Sequence, residues 1–229
     1  MQKTSINLNV QKRAAGEKAV EFIENGMIVG LGTGSTVKFM IEKVALDVKD
    51  GLNIKAVSTS VETTVLAESL GINVVNLRDV EKIDLTIDGA DEVDPNLNGV
   101  KGGGGALLYE KIVAASSEKN IWIVDSTKYV KTLGNFPLPI EVAKFGSEKT
   151  YNKLSSLGYS PKYRMDGDVY YVTDAKNHTL DLSLNDIADP VELDKDLKQI
   201  PGVLETGLFL NICDIVIIGR EKDCEIIKK

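Results

Sequence analysis

Four consecutive glycines lie between a lysine and a predicted helix that carries a glutamate. In the stretch KGGGGALLYE, Lys101 precedes Gly102, Gly103, Gly104 and Gly105, and Glu110 follows about one turn inside the helix. Glycine lets the backbone approach a small ligand closely. A lysine and a carboxylate that face one ligand form a proton-transfer pair, so this stretch predicts acid–base chemistry. The alternative is a glutamate on the solvent face of its helix.

A second candidate follows the predicted strand IDLTI, where carboxylates are clustered. The turn reads Asp88, Gly89, Ala90, Asp91, Glu92, Val93 and Asp94. Such carboxylates can bind Mg²⁺, accept hydrogen bonds from sugar hydroxyls or form a solvated loop. A solvated loop explains Glu92 and Asp94 as well as a site does. It explains Asp88 and Asp91 less well, because they come closer to the buried strand.

The turn after the predicted strand MIVGL combines glycine with hydroxyl side chains. It contains Gly32, Thr33, Gly34, Ser35 and Thr36, and a helix follows. Helix N-termini offer unpaired N–H groups and a positive dipole end, which suit a phosphate monoester. In the alternative, Ser35 or Thr36 only caps the helix. The turn is neither a Walker A loop nor a full dinucleotide fingerprint, so ATP and NAD are not expected.

The remaining candidates are isolated residues. Lys128 follows the predicted strand IWIV, where it is either a phosphate ligand or a surface lysine. The only histidine, His178, is expected on the surface, in a turn between two strands. Cys213 and Cys224 lie outside any metal-ligand spacing, so a zinc site is not expected.

Composition excludes several classes of protein. The 229 residues are 43% apolar and 27% charged, which suffices for a buried core. The net charge of −7 leaves no broad basic surface for a nucleic-acid backbone. No run approaches the roughly 20 apolar residues that cross a bilayer. The few cysteines and the N-terminal composition predict a reduced, cytoplasmic protein without nucleic-acid or membrane partners.

Strands and helices alternate in the first part of the chain. Apolar residues at helical spacing predict a helix between Val10 and Ile23, followed by the strand MIVGL and a second helix. Further strands are predicted at IKAVS, INVV, IDLTI and IWIV, with helices near 61–70 and 106–117. This alternation is typical of an α/β fold with a mainly parallel sheet and helices on both faces.

The pattern changes in the segment GNFPLPIEVAKFG. Helices near 148–157 and 190–199 accompany the alternating strands VYYVT and TLDLSL. These elements predict a small α+β module with an antiparallel sheet over residues 134–204. We expect the strands ETGLFL and DIVIIG to return to the first sheet, so that residues 1–133 and 205–229 form one domain.

Five segments, in this order, resemble the ribose-5-phosphate isomerase A family: VGLGTGST, TIDGADEVD, KGGGGALLYEK, DSTK and FPLPIEV. DGADE and KGGGGA are the most specific. The resemblance covers nearly the whole chain and implies an aldose–ketose isomerase of the pentose phosphate pathway, which interconverts D-ribose 5-phosphate and D-ribulose 5-phosphate. It also implies no metal or organic cofactor, and a homodimer or homotetramer. The implied fold is a Rossmann-like domain with a small, ferredoxin-like α+β domain inserted late in the chain.

The resemblance also assigns roles to positions. It implies phosphate or substrate binding by Thr33, Gly34, Ser35, Thr36, Gly89, Ala90, Gly102, Gly103, Gly104, Lys12 and Lys128. The implied catalytic residues are Glu110, Asp88, Asp91 and Lys101. Gly105 departs from the family pattern, because relatives often carry alanine there.

Isomerisation explains why these residue types are needed. A proton must leave C2 and return at C1 through a cis-enediolate, and one carboxylate, Glu110, can do both. We expect burial to desolvate Glu110 and to raise its pKa. Lys101 and the backbone N–H groups of Gly102 to Gly104 would offset charge on the enediolate oxygens. Opening of the sugar ring needs an acid–base partner, and either Asp88 or Asp91 can serve.

Two alternatives stay open at this point. Sugar-phosphate sensor domains of transcription regulators resemble this fold and share a glycine–threonine phosphate turn, but they need a DNA-binding unit. One helix is predicted before MIVGL, and a Lys101–Glu110 pair has no obvious use in a sensor. The other alternative is Mg²⁺-dependent phosphoryl transfer by the carboxylates of DGADEVD.

Overall fold

The computed structural model describes residues 7–229, which form two compact units. The first unit comprises 7–89, 113–129 and 213–229, and the second comprises 90–112 and 130–212. The boundaries of these units differ from those of the predicted domains. The division into 1–133 with 205–229 and 134–204 stays a prediction. Residues 1–6 of the first predicted domain lie outside the described residues. No helix within 7–229 is long and apolar enough to cross a membrane.

The predicted helices are present, and their ends differ by a few residues from the expected ones. The α-helices in the described chain are α1 (Leu8–Val20), α2 (Ser35–Lys49), α3 (Val61–Ser69), α4 (Leu107–Ala115), α5 (Ser147–Ser156) and α6 (Pro190–Lys198), and a short 3-10 helix spans Leu77–Asp79. The strands are β1 (Ile28–Leu31), β2 (Lys55–Ser58), β3 (Leu85–Gly89), β4 (Glu92–Val93), β5 (Gly99–Val100), β6 (Asn120–Asp125), β7 (Leu138–Val142), β8 (Pro161–Tyr163), β9 (Met165–Asp166), β10 (Val169–Tyr170), β11 (His178–Leu182), β12 (Val203–Thr206), β13 (Leu208–Phe209), β14 (Ile215–Gly219) and β15 (Cys224–Lys228).

The first unit is built on a six-stranded sheet in the order β15-β14-β6-β3-β1-β2. Its neighbouring strands are parallel, except that β15 pairs antiparallel with β14 at one edge. Parallel strands need crossover connections, and these place helices over the faces of the sheet. Strand β6 is accordingly buried at every position. The predicted α/β fold with a mainly parallel sheet is confirmed.

Alternate residues of the strands reach different apolar clusters. Val29 and Leu31 of β1 pack in the main cluster with residues of α1 and α2. In a second cluster, Val113 of α4 packs with Val57 of β2 and with Ile83. Because successive side chains of a strand point to opposite faces, the two clusters cover the two sides of the sheet.

Helices α1 and α2 approach each other closely at Gly16. A Cβ atom at Gly16 would lie 2.9 Å from the backbone nitrogen of Met40, so a larger residue would push the helices apart. The close approach brings the start of α1 beside the start of α2. Lys12 lies in the first part of α1, and Ser35 is the first residue of α2.

The second unit contains a four-stranded antiparallel sheet in the order β12-β7-β11-β8. Helix α5 follows β7 and helix α6 precedes β12, which is the β-α-β-β-α-β arrangement of ferredoxin-like units. Its apolar core includes Leu138, Ile140, Leu154, Leu180, Leu182 and Leu197. Strands β4, β5 and β13 form a separate sheet, and β9 and β10 form a hairpin. That the four-stranded sheet belongs to an inserted domain stays a prediction.

Two strand predictions are wrong. ETGLFL does not return to the first sheet, because β12 pairs with β7 and β13 pairs with β5. INVV forms no regular strand and makes one bridge, between Val74 and Ala56. DIVIIG does join the first sheet, as β14 beside β6. An apolar run shows that a segment is buried, but it does not specify which strand becomes its neighbour.

The prediction for His178 is also wrong. His178 begins β11 and is buried, and its Nδ1 lies 3.1 Å from the carbonyl oxygen of Tyr171. Its ring packs edge-on against those of Tyr163 and Tyr170. Both tyrosines come from earlier in the chain, and their rings cover the histidine. His178 therefore has a structural role.

Candidate active site

The glycine–threonine turn connects β1 to α2 at the carboxyl edge of the parallel sheet. Gly34 is the N-cap of α2, with φ of 119° and no side-chain cap, so Ser35 and Thr36 lie inside the helix. The alternative that one of these hydroxyls caps the helix is wrong. The first N–H groups of a helix have no intrahelical partner. The turn therefore offers backbone donors at the edge where parallel sheets bind ligands.

A lysine and several hydroxyls surround this turn. Lys12 Nζ donates to Ser35 Oγ at 3.0 Å. Thr33 Oγ1 donates to Ser60 Oγ at 2.8 Å and lies 2.7 Å from Thr59 Oγ1. The cation and the helix N-terminus make the turn locally positive, which suits a phosphate group. Sequence reasoning found Lys12 and Thr33 but missed Thr59 and Ser60, which follow a different strand.

Asp88 lies near the end of β3 and binds the same turn. Its Oδ1 accepts hydrogen bonds from the backbone N–H groups of Thr33 at 3.0 Å and Gly89 at 2.7 Å. A Cβ atom at Gly32 would lie 2.0 Å from that oxygen, so the close approach requires glycine. The first unit thus brings Asp88 together with the predicted phosphate turn.

Lys128 follows β6, which lies beside β3 in the parallel sheet. Its N–H donates to the carbonyl oxygen of Asp125 at 3.1 Å in the turn that leaves the strand. Because parallel strands end at the same edge of a sheet, Lys128 lies on the edge that carries Asp88. Its role as a phosphate ligand stays a prediction.

In the second unit, Asp91 binds the glycine segment Lys101–Gly105. Asp91 Oδ2 accepts a hydrogen bond from the N–H of Gly103 at 2.7 Å. A Cβ atom at Gly103 would lie 2.6 Å from Asp91 Oδ1, which explains why glycine is needed there. One of the N–H groups that we predicted to face an enediolate is therefore bound to Asp91 in this structure.

Lys101 and Glu110 form a buried ion pair in the second unit. Lys101 Nζ lies 3.3 Å from Glu110 Oε1, and the two side chains are 3% and 5% exposed. The ammonium also lies 5.2 Å from the centre of the Phe209 ring. Glu110 belongs to the first turn of α4. The alternative of a solvent-facing glutamate is wrong.

The carboxylate of Glu110 is nearly withdrawn from solvent and lies next to a cation. The rise of its pKa that we expect from the sequence stays a prediction.

Comparison with known proteins identifies the family. Residues 55–223 match the model of the family described as ribose 5-phosphate isomerase A (phosphoriboisomerase A). The chain belongs to the ribose-5-phosphate isomerase A family. It is therefore an isomerase, and the alternative of a sugar-phosphate sensor domain is not favoured.

Relatives of this isomerase match along nearly their whole length. The ribose-5-phosphate isomerase A of Limosilactobacillus reuteri is 50% identical over 213 residues, which cover 92% of this chain and 94% of the relative. That of Bifidobacterium longum is 52% identical over 210 residues, or 91% of this chain and 90% of the relative.

Solved structures of the family have the same fold. A D-ribose-5-phosphate isomerase in complex with phospho-erythronic acid superposes with a TM-score of 0.94 at 37% identity, covering 98% of this chain and 100% of that one. Ribose 5-phosphate isomerase A from Neisseria gonorrhoeae superposes with a TM-score of 0.90 at 40% identity, with coverage of 97% and 98%.

Two further acidic residues of this isomerase are buried, so the solvated-loop alternative is wrong for them. The Glu92 carboxylate accepts hydrogen bonds from the N–H groups of Gly134 and Phe136, both at 2.7 Å. Asp94 accepts two backbone hydrogen bonds within its own turn. Within 7–229, no group of three or more His, Cys, Asp or Glu side chains could hold a metal ion.

Sequence reasoning missed two charged residues that bind the glycine segment and α4. Arg164 Nη1 donates to the carbonyl oxygens of Gly102 at 2.7 Å and Gly103 at 3.1 Å. The Glu141 carboxylate accepts a hydrogen bond from the N–H of Leu108 in the first turn of α4. Each lies tens of residues from its partner along the chain, and no local motif marks either one.

Proposed function

We propose that this isomerase interconverts D-ribose 5-phosphate and D-ribulose 5-phosphate, with Glu110 carrying a proton between C2 and C1. The observation that carries the proposal is the buried pair of Glu110 and Lys101, 3.3 Å apart and next to a glycine segment. A buried carboxylate with one specific cationic partner is the kind of group that enzymes use for proton transfer.

In the proposed reaction, the open-chain aldose reacts. Glu110 removes the proton from C2, the electrons of that C–H bond form the C1–C2 double bond, and negative charge moves to the oxygen at C1. The hydroxyl proton at O2 then passes to O1, the carbonyl forms at C2, and Glu110 returns its proton to C1. The net change moves one hydrogen from C2 to C1 and one from O2 to O1, so no external oxidant or reductant is needed.

Lys101 stabilises the enediolate oxygens in this mechanism. Charges interact strongly in a buried, low-dielectric site. When Glu110 takes up the proton, its own negative charge disappears at the step in which the enediolate forms. The ammonium of Lys101 can then balance the enediolate charge instead of the carboxylate charge. The backbone N–H groups of Gly102 and Gly104 add donors, while that of Gly103 holds Asp91.

The phosphate group is assigned to the turn at the start of α2. Support comes from the helix N-terminus without a side-chain cap and from the Lys12 ammonium at the same turn. The assigned ligands are Thr33, Gly34, Ser35, Thr36, Lys12 and Lys128, with Gly89 and Ala90 as further substrate contacts. Binding energy from the phosphate would position the reacting carbons.

Ring opening is assigned to the carboxylates Asp88 and Asp91, of which one acts. Each accepts a backbone hydrogen bond, Asp88 from Thr33 and Asp91 from Gly103. These bonds hold the two carboxylates in place, and a carboxylate can accept a hydrogen bond from a sugar hydroxyl through either oxygen.

We further propose a cytoplasmic homodimer or homotetramer that acts without metal or organic cofactor. The 229 residues include only two cysteines, Cys213 and Cys224, which is too few for a disulfide framework and supports a reducing compartment. Exposed apolar side chains of the second unit support self-association, among them Phe145, which is 98% exposed. Analytical ultracentrifugation measures the assembly directly.

An NMR assay in D₂O tests the proposed reaction. Purified protein should convert ribose 5-phosphate to ribulose 5-phosphate and introduce deuterium, because a carboxyl proton exchanges with solvent before it returns to carbon. The rate should be the same after treatment with excess EDTA. Failure to form the ketose would overturn the proposed function, and ketose formed without any deuterium would contradict the enediolate route.

A further inference from the structure

Arg164 connects a carboxylate to the backbone of the glycine segment. Its Nε and Nη2 donate to the two oxygens of Asp181, at 3.0 and 2.5 Å. Its Nη1 donates to the carbonyl oxygens of Gly102 and Gly103, at 2.7 and 3.1 Å. One guanidinium therefore binds a carboxylate and two successive peptide groups, all within the second unit.

The antiparallel sheet fixes this guanidinium. Arg164 directly follows β8, and its N–H donates to the carbonyl oxygen of Thr179 at 2.9 Å. Asp181 lies inside β11, opposite Lys162 of β8. The side chains of Arg164 and Asp181 are only 16% and 24% exposed. A planar fork bound to both oxygens of a carboxylate has a defined orientation, which a single ammonium would not have.

Fixing the two carbonyl groups also fixes the direction of two N–H groups. A trans peptide unit is planar, so the N–H of the following residue points away from the carbonyl oxygen. The carbonyls of Gly102 and Gly103 point to Arg164, and the N–H groups of Gly103 and Gly104 therefore point to the opposite side. The N–H of Gly103 does so in the structure, towards Asp91 at 2.7 Å.

The glycine segment needs such a restraint because glycine has the greatest backbone freedom. Gly102 and Gly105 both adopt positive φ, at 102° and 78°. Tyr171 adds a second restraint, because its ring occupies the space of a side chain at Gly105, where a Cβ atom would lie 2.4 Å from the hydroxyl oxygen. A cation bound to peptide carbonyls also polarises the peptide groups and strengthens their N–H donors.

We propose that Arg164, oriented by Asp181, is a positioning residue that sets the direction of two glycine N–H groups, that of Gly104 towards the oxygens of the enediolate and that of Gly103 towards Asp91. Arg164 acts through the backbone of Gly102 and Gly103 and has no direct contact with the reacting atoms in this proposal. The inference rests on the proposed isomerisation. It adds to that reaction a residue from the antiparallel sheet of the second unit.

Steady-state kinetics of three variants test the inference. Arg164→Gln should lower kcat about 10- to 100-fold and change KM less than about threefold, because loss of a whole oxyanion donor lowers kcat about 10²- to 10³-fold and misdirection has a smaller effect. Arg164→Lys should lower kcat nearly as much, since an ammonium cannot span the carboxylate and both carbonyls. Asp181→Asn should lower kcat by less.

Arg220→Gln is the control. It removes an exposed ion pair with Glu225 and should leave kcat unchanged.

A second measurement does not depend on activity. With selective ¹⁵N-glycine labelling, the amide resonances of Gly103 and Gly104 should shift in Arg164→Gln, while those of Gly26 and Gly51 in the first unit stay in place. A folded Arg164→Gln protein with kcat within twofold of normal would overturn the inference. So would a raised KM at unchanged kcat, or unmoved resonances of Gly103 and Gly104.

Thermal melts show whether each variant folds. If Arg164→Gln does not fold, Asp181→Asn decides the matter: lower kcat at unchanged KM supports the inference, and normal kcat overturns it. Failure of the unaltered protein in the D₂O assay would remove the proposed function itself. An active protein whose Arg164 variants are equally active would remove only the positioning role.

Discussion

Glu110 is buried 3.3 Å from the ammonium of Lys101, in the first turn of α4. Breaking a buried pair by removing one charge typically costs about 3–5 kcal/mol, because the other charge is left without compensation. A substitution that changes size would therefore affect stability and activity together. Replacement of carboxylate by amide keeps the size, so it tests the chemistry most directly.

Glu110→Gln should lower kcat by about 10²- to 10⁴-fold, the usual contribution of a positioned general base, and leave KM nearly unchanged. The amide cannot take up the C2 proton. Glu192→Gln, at an exposed position of α6, is the matched control and should be fully active. A Glu110→Gln enzyme with more than a tenth of the normal kcat would refute the assignment.

Asp88→Asn and Asp91→Asn distinguish which carboxylate opens the ring. Ribose 5-phosphate is mostly a closed furanose, whereas a four-carbon aldose 4-phosphate cannot close a five-membered ring. The variant that lacks the ring-opening group should lose at least about tenfold more kcat/KM on ribose 5-phosphate than on the four-carbon substrate. Equal losses on both substrates for both variants would show that neither residue opens the ring.

Helix α4 sets the position of Glu110, and two charged groups of the second unit hold this helix, of which Glu141 is buried and Lys111 is largely buried. The Glu141 carboxylate, on β7, binds the N–H of Leu108 in its first turn. Lys111, which follows Glu110, reaches the segment that joins β12 to β13. Several elements therefore fix the position of the base. Removing one of their contacts with α4 should lower the free energy of unfolding, which can be measured.

Lys111→Met should lower the free energy of unfolding by about 2–4 kcal/mol. Lys111 Nζ donates to Glu205 at 2.8 Å and to the carbonyl oxygens of Thr206 and Leu208 at 2.7 and 2.8 Å, and methionine leaves these acceptors without that donor. Burial lowers the pKa of Lys111. Burial by itself would raise the pKa of Glu205, but the Lys111 ammonium holds it below its ordinary value.

Urea denaturation measures this effect. Lys195→Met, which removes an exposed lysine of α6, is the control and should leave stability nearly unchanged. If Lys111→Met lowered the free energy of unfolding no more than Lys195→Met does, the hydrogen bonds of Lys111 would have no stabilising role.

Glu141 predicts a specific pH dependence of stability. Burial raises its pKa above the ordinary value of 4.5, although hydrogen bonds from Asn177, Thr173 and Leu108 oppose the rise. Between 4.5 and the raised value, the native state binds more protons than the unfolded state, so this group's contribution to stability falls as pH rises through that window.

Glu141→Gln removes this titration. The free energy of unfolding of the variant minus that of the unaltered protein should increase as pH rises from about 4 towards neutrality. The reason is that only the unaltered protein loses this contribution to stability. Urea denaturation at a series of pH values measures the difference. Parallel stability curves of the two proteins across this range would contradict the prediction.

At the scale of the whole molecule, the residues assigned to the substrate come from both compact units. The first unit carries the phosphate turn and Asp88, and the second carries Asp91 and the Lys101–Glu110 pair. Each unit therefore carries part of the assigned residues, and the assignment of each part can be tested separately.

An equilibrium mixture of ribose 5-phosphate and ribulose 5-phosphate, the ligands of the proposed function, should therefore stabilise this protein. A ligand that binds only the native state adds about 2.7 kcal/mol at a concentration of 100 Kd. Thr36→Val in the first unit and Gly103→Ala in the second should each weaken binding at least about tenfold, and Ser155→Ala on α5 is the control. Weakened binding by the variant of one unit alone would contradict the proposal.

Local sequence determined the elements and the chemically active residues. Apolar periodicity depends on near neighbours, so α2 and β6 were predictable. The same holds for the phosphate turn and for Glu110, because each belongs to a short segment in which glycine, charge and helix follow directly. The family resemblance rests on those same segments.

Only the tertiary structure decided burial and partners. Glu92 and His178 look like surface residues in sequence, and both are buried by segments distant along the chain. Arg164 meets the glycine segment, and β12 joins β7, through contacts that no local window contains. Desolvation and the choice of a hydrogen-bond partner depend on which segments pack together. These properties therefore follow from the folded chain and not from any short stretch of it.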